Sequence, residues 1–212
     1  MIAWSYTRLS DFEACPYRFK LKYIDKKSEA PSPAAERGTL IHKQYEDFML
    51  KDEPCPSEFF TSELTDIKKL QPWNVETQWA FDKNWKLCEW FSPNTWVRIK
   101  PDLYFPNKSN TLTIIDYKTG KKRPIPHTAQ GQLYALGAYA IDPLFHTINI
   151  EFWYHDLNTK HTFQLTSTQL QQLKIQWTNR AQQLETDTFN PKPNKWNCKF
   201  CGVKEHCEYA EI

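Results

Sequence analysis

Apolar positions along the chain change period part-way through. Between residues 34 and 50, Leu40, Ile41, Tyr45, Phe48 and Met49 fall on one face of a helix. Upstream, Phe12, Phe19 and Tyr23 follow roughly helical spacing. Ser10-Asp11-Phe12-Glu13 matches a capping box with Ser10 as N-cap, and Pro16 suits the first position of a further turn. A short helix is predicted over 62–70. The period then shortens to that of strands. The runs 75–81, 95–105, 112–117 and 147–155, with a short addition at 162–165, are rich in β-branched and aromatic residues. Asn107-Lys108-Ser109-Asn110 is a polar turn that makes two of them a hairpin. Helices are predicted over 128–141, stopped by Asp142-Pro143, and over 168–184. Segments 26–33 and 51–59 read as proline-containing loops, and the tail 190–212 carries neither period. Helices, then mostly antiparallel strands, then a strand-helix-strand crossover predict an α/β fold with a central mixed β-sheet flanked by helices.

Composition narrows the setting. With 40% hydrophobic and 25% charged residues, the chain can fill a core and is not wholesale disordered. A net charge of only +2 excludes a globally basic protein that coats nucleic acid. Basic residues nevertheless gather at Arg18, Lys20, Lys22, Lys26 and Lys27, and again at Lys118, Lys121, Lys122 and Arg123. No apolar run has the roughly 20 residues of a membrane span, and the start lacks the charged and apolar regions of a secretory signal. An intracellular, cytoplasmic protein is expected (in a host cytoplasm if phage-encoded), with no membrane partner. Its six cysteines then point to metal or cluster ligation rather than disulfides.

Two aspartates interrupt strand-like runs, Asp102 in the first strand of the hairpin and Asp116 at the end of the second. Such carboxylates are costly to bury unless paired or metal-bound, and the hairpin can bring them to one point. One or two carboxylates, with positions left for water and phosphate, suit Mg²⁺. Lys118 lies two residues beyond Asp116 and so points to the same face of a strand, where an ammonium can handle water or phosphate charge. Taken alone, Asp116-Tyr117-Lys118 reads first as a buried ion pair before a turn at Thr119-Gly120, since the pattern is short and common.

The surrounding motifs give it company. Gly38-Thr39-Leu40-Ile41-His42, Asp102, Asp116-Tyr117-Lys118-Thr119-Gly120-Lys121 and Gln130-Gly131-Gln132-Leu133-Tyr134-Ala135 occur in that order. So do the opening Ser5-Tyr6-Thr7-Arg8-Leu9 and Cys15-Pro16-Tyr17-Arg18-Phe19. Together they resemble the RecB-like nucleases of the PD-(D/E)XK family, with a restriction-endonuclease-like core. The resemblance implies metal ligands at His42, Asp102, Asp116 and the Tyr117 carbonyl, and catalytic roles for Asp102, Asp116 and Lys118. It also implies DNA contacts through Gln130 and Tyr134, joined by Lys121 and Lys122. Gln132, a near neighbour, is open as the contacting residue instead of Gln130. Glu76 matches a glutamate frequent in the family, and a surface role is equally open. Imidazole favours Mn²⁺ over Mg²⁺, so a histidine ligand implies activity with Mn²⁺ at least as good as with Mg²⁺.

Cys198 and Cys201 form a C-x-x-C, followed by Cys207, so a fourth thiolate has to come from afar, and Cys15 is the natural candidate. This layout resembles the iron-sulfur branch of the same family, in AddB-type nuclease domains and CRISPR-adaptation exonucleases. By that resemblance a structural 4Fe-4S cluster ties the chain ends together, with Zn²⁺ as its chemical competitor. Cys55 and Cys88 fit no ligand spacing. The expected organisation is one nuclease domain over 1–212, with 1–33 and 190–212 as the cluster-bearing staple and 34–189 as the core. The expected function is Mg²⁺- or Mn²⁺-dependent DNA exonuclease activity on single strands or duplex ends, alone or with recombination or adaptation proteins. Alternatives are a catalytically silent DNA-end-binding subunit and a zinc-ribbon-like scaffold with incidental acidic residues. No G-x-x-x-x-G-K-[ST] loop is present, so no helicase motor is implied.

Overall fold

Strands β5 (Leu103–Asn107) and β6 (Thr111–Lys118) form the expected antiparallel hairpin, with Leu103 opposite Ile115 and Asn107 opposite Thr111. The computed structural model describes residues 3–51, 53–107, 110–186 and 188–211. Lys108 and Ser109 of the hairpin turn, and the first two residues of the chain, lie outside them. Beyond β6 the chain enters helix α5 (Pro124–Ile141) and returns as β7 (Thr147–Tyr154), parallel to β6 over its whole length. Strand β8 (Thr159–Thr166) then pairs antiparallel with β7, and a two-residue β1 (Asn74–Val75) closes the other edge against β5. The order β1-β5-β6-β7-β8 is a mixed sheet in which only β6 and β7 run parallel.

Period two sends alternate side chains of β6 to opposite faces. Leu112 and Ile114 pack with Ile148, Ile150 and Leu133 beneath α5 and α6 (Ser167–Thr186). Ile115 and Tyr117 pack with Tyr45, Phe48, Phe60 and Leu64 beneath α3 (Pro33–Leu50) and α4 (Glu58–Lys69). The sheet is thus covered by helices on both faces. Among the described residues no helix is long and apolar enough to cross a membrane.

Two predicted strands are each broken in the structure. The run 95–105 divides into β4 (Val97–Ile99) and β5, which lie in different sheets. Pro101 has no N–H to donate and biases Lys100 away from helix, so the run leaves one ladder before joining the next. The run 75–81 divides into β1 and β2 (Trp79–Phe81), because Glu76 between them takes a left-handed φ of 52° and donates its N–H to the Asp102 carbonyl at 2.9 Å. Strands β2, β4 and β3 (Leu87–Cys88) form a second, three-stranded sheet.

Helix α1 (Tyr6–Ala14) is capped by Ser5, whose hydroxyl accepts the Arg8 N–H, and not by Ser10. Trp4 is held extended by a bridge to Val97, so the helix starts immediately after it, and Ser10 lies inside the helix. Glu13, expected to reach back to Ser10, pairs instead with Arg180 of α6. Helix α2 (Pro16–Phe19) follows with Pro16 at its first turn and runs into a π-turn over Lys20–Ile24. Helices α4 and α5 begin about a turn earlier than their apolar spacing predicted, at Ser57 as N-cap and at Pro124. The tail contains a short helix α7 (Lys195–Lys199), capped by Asn194, where neither period was visible.

Gly131 brings α5 close to the sheet. A Cβ there would lie 2.7 Å from Ile150 and 2.8 Å from Phe163, too near for real atoms. Gly131→Val is therefore expected to destabilise the protein by about 1–3 kcal/mol through overpacking. A lowered urea midpoint with unchanged slope is the result expected, and an unchanged midpoint counts against so tight a contact.

Candidate active site

Because Leu112 and Ile114 face α5, Asp116 and Lys118 face it too. Asp116 is buried, and the Tyr134 hydroxyl donates to its Oδ1 at 2.6 Å. Gln130, one helical turn before Tyr134, donates from Nε2 to the Tyr134 hydroxyl at 2.6 Å and accepts from Lys118 Nζ at 2.8 Å. Lys118 Nζ in turn lies 2.5 Å from Asp116 Oδ2. Four side chains, two from β6 and two from α5, thus close a ring. Gln130 belongs to it because residues four apart share a helix face, whereas Gln132, two places on, points away from Tyr134. The Lys118 contact with Asp116 Oδ2 is an ion contact off the hydrogen-bonding line, so this buried oxygen receives no directed hydrogen bond.

Across the hairpin, Asp102 is buried in the bend immediately before β5 rather than within the strand. Its Oδ2 accepts the Tyr117 N–H at 2.7 Å and lies 3.2 Å from His42 Nδ1. Helix α3 carries His42 and is fixed over the sheet by Tyr45, which stacks on Tyr117 at 3.8 Å. Burial and the charge of Asp116 push the Asp102 carboxyl up, opposed by the hydrogen bond from His42. Burial alone would lower His42, but its bond to Asp102 and the charges of Asp102 and Asp116 outweigh this and push it up to about 9. The carboxylates therefore draw positive charge into this corner.

His42, Glu76 and Asp102 each offer one ligand atom, all within 4.8 Å of one another, and form a group that could hold a divalent metal. They line an open cleft of about 470 Å³ with Gly38, Lys43 and Glu46. Glu76 belongs here because its left-handed backbone turns it out of the strand, where it also pairs with Lys100. No spacing in the sequence joins residue 76 to residue 42. With an orphaned carboxylate oxygen on Asp116 beside this group, the donor set fits an oxygen-seeking cation.

Several residues near the site escaped the sequence reading. Asp156 takes a bidentate pair from Arg37 of α3 and accepts the Gly120 N–H at 2.6 Å. It so pins the loop after Lys118, where Gly120 has a φ of 77°, to the helix bearing His42. Lys121 is exposed in that loop, and exposed Lys122 lies 5.6 Å over the Tyr154 ring. His127 Nδ1 lies 2.7 Å from the Tyr154 hydroxyl, and burial lowers its pKa to about 4, helped by Lys118. A histidine depressed below the ordinary 6.5 or so disfavours the folded state as pH falls from there towards 4, since the unfolded chain takes the proton first. An NMR titration is expected to place the His127 midpoint near 4, and a midpoint near 6.5 would contradict the burial.

Away from this centre, Cys15, Cys198, Cys201 and Cys207 line one small cavity with Arg18, Lys204 and Tyr209. Burial raises the Cys207 thiol, and the other three thiols act on it as neighbours. Around them the two chain ends are joined by several contacts. The Lys192 N–H points at Cys15 Sγ, Ala30 N–H donates to the Gly202 carbonyl at 2.8 Å, and Tyr17 meets Tyr209 edge-on at 5.0 Å. Cys55 and Cys88 stand apart, the latter 3.7 Å from the Thr95 hydroxyl.

The family model of the PD-(D/E)XK nuclease superfamily matches residues 3–80 and 58–208. Among solved structures, the chain is similar to a candidate exonuclease from Eubacterium rectale at 13% identity and a TM-score of 0.54, covering 99% of this chain and 90% of the other. It is also similar to SSO0001, at 14% identity and a TM-score of 0.52, covering 99% and 87%. At such identities these two likenesses speak for the fold alone. No curated protein matches the sequence.

Proposed function

The chain belongs to the PD-(D/E)XK nuclease superfamily, and from that premise we propose that it is a RecB-like, metal-dependent deoxyribonuclease, cutting single-stranded DNA or duplex ends as an exonuclease. The observation that carries this reading is the ring of Asp116, Lys118, Gln130 and Tyr134 beside the His42-Glu76-Asp102 group. A divalent ion, Mg²⁺ or Mn²⁺, would be held by His42, Asp102, Asp116 and the Tyr117 carbonyl, with Glu76 available as a further ligand. When bound, such an ion lowers the pKa of water from about 15.7 towards about 7 and offsets phosphate charge.

The chain's own side chains supply the positioning. Lys118, held between Asp116 Oδ2 and Gln130 Oε1, would bring its ammonium to the attacking water or the phosphate. Tyr134 fixes the rotamer of Asp116, and Tyr117 N–H fixes that of Asp102, so neither carboxylate has to reorganise. Gln130, Tyr134, Lys121 and Lys122 would hold the DNA backbone near the ring.

The four thiols are proposed to bind a 4Fe-4S cluster that makes residues 1–33 and 190–212 a staple on the core at 34–189. The four line one cavity, and Zn²⁺ held by the same thiolates is the competing reading.

Digestion of end-labelled single-stranded and duplex DNA by anaerobically purified protein, with Mg²⁺ and Mn²⁺ compared, tests the activity. Metal-dependent loss of label is expected, with Mn²⁺ at least as effective as Mg²⁺. DNA binding without cutting would leave the end-binding subunit as the reading to adopt.

A further inference from the structure

Beside the ring opens a second cleft of about 420 Å³, lined by Gln130 and Tyr134 of the ring together with Arg8, Trp90 and Arg98. Its construction follows from β4, where Val97 and Ile99 are buried and Arg98 between them faces the other way. Trp4 bridges to Val97, and Arg98 N–H donates to the Trp4 carbonyl at 2.8 Å, which brings the start of α1 and Arg8 alongside.

The two arginines differ from most others in this chain. Arg18, Arg37 and Arg180 are each held by a carboxylate. Among the described residues neither Arg8 nor Arg98 has one within 4.0 Å. Arg8 Nη1 donates to the Ala3 carbonyl at 2.6 Å, and Arg98 Nε donates to the Trp90 carbonyl at 2.9 Å. Each guanidinium carries five donors, of which these carbonyls take one apiece, and Arg8 also lies 5.0 Å over the Tyr23 ring. Burial and the nearness of Arg8 both lower the Arg98 pKa, as expected of two like charges sharing a pocket. The guanidinium of Arg98 also lies 5.3 Å from the Trp90 ring and 5.4 Å from the Phe91 ring, and Phe91 is 83% exposed.

We propose that this cleft is a subsite for single-stranded DNA, in which Arg8 and Arg98 take a backbone phosphate and Phe91, with Trp90, stacks on an unpaired base. The identity of the occupant rests on the nuclease reading above. Two unpaired guanidiniums call for an anion, and rings beside them call for a flat apolar surface. A polynucleotide strand offers both at a repeating interval. The wall shared with Gln130 and Tyr134 leads that strand towards Asp116. In duplex the base faces are already stacked, so the rings select single strands.

Fluorescence anisotropy of labelled dT12 and of a blunt hairpin duplex, measured on the full chain without divalent metal over a salt series, tests this. Phe91→Ala touches a nearly fully exposed side chain and is expected to weaken dT12 binding by about five-fold or more. Arg98→Ala is expected to reduce the log-affinity against log-salt slope by about 0.7, the share of one single-strand phosphate. Both are expected to leave hairpin affinity within about two-fold. Wild-type dT12 binding in both variants, or equal losses on hairpin and dT12, would overturn the subsite. Mn²⁺-dependent digestion of the same oligonucleotide separates the two readings. Wild-type protein that cuts while Phe91→Ala and Arg98→Ala bind normally refutes the subsite alone. Wild-type protein that binds through Phe91 and does not cut supports the subsite and refutes the nuclease.

Discussion

Asp116→Ala is expected to lower DNA hydrolysis by at least about a thousandfold while the protein stays folded, because it removes both a proposed metal ligand and the anion that holds Lys118. The fold is expected to survive because Lys118 keeps its bond to Gln130 and is partly exposed, and because Asp116 itself belongs to neither apolar cluster, although Tyr134 and Tyr117 beside it do. Deleting the carboxylate leaves the Tyr134 O–H without its acceptor, though the oxygen still accepts from Gln130, a cost of about 1–3 kcal/mol. Asp116→Asn preserves shape and is the cleaner comparison for stability. Lys118→Ala is expected to give a similar loss of rate, and Lys118→Arg little rescue, since a planar fork does not replace a point charge between two oxygens. Initial rates on end-labelled DNA, read beside urea midpoints, check the set. Wild-type rates in the Asp116 or Lys118 alanine variant would refute the proposed roles.

The second large effect is expected at the thiols. Cys201→Ala removes one ligand from the proposed cluster, which closes nearly the whole chain into one loop. The loss is expected to be about 3–5 kcal/mol, or a melting temperature lower by about 6–20 °C for a chain of this length. The visible absorbance of the cluster is expected to vanish with it. What then holds the tail are contacts such as Ala30 to Gly202 and Tyr17 to Tyr209, too few to keep a short helix docked. Cys55→Ser, which touches no thiol, serves as the control. Wild-type colour and melting in Cys201→Ala would exclude the cluster, and a colourless wild-type protein containing one zinc would assign the thiols to that metal.

The β5–β6 hairpin and the β6-α5-β7 crossover were legible in the sequence because their signals are local. Alternation sets each strand's faces, and Asp142-Pro143 ends α5. The ring was half legible. Four-residue spacing joined Gln130 to Tyr134, and two-residue spacing joined Asp116 to Lys118. That these pairs would face one another depended on which side of the sheet α5 covers. The break at Glu76 was not legible, since no residue from 75 to 81 signals a left-handed backbone, whereas the break at Lys100-Pro101 has a mark in the proline itself, set among β-branched and aromatic residues that favour strand. Glu76 reaches His42 only because such a break turns it out of line. The N-cap was misassigned for a similar reason. Ser5 and Ser10 both suit the role, and a bridge from Trp4 to a strand some 90 residues away decides between them. Arg8 and Arg98 carry no sequence signal of their cleft, because what sets them apart is the absence of a nearby carboxylate in three dimensions.

Tyr134 and Asp116, which close the ring, are 18 positions apart, whereas Lys192 meets Cys15 across 177. Loop-closure entropy grows with the logarithm of separation, so the longer closure costs about 2 kcal/mol more before any contact is gained. The proposed catalytic grouping therefore lies within one strand-helix step, which is expected to form before the tie between the chain ends. Assembly and anchoring are thus expected to be separate events. A chain caught between them is expected to carry its four ring residues in place while its tail is still loose.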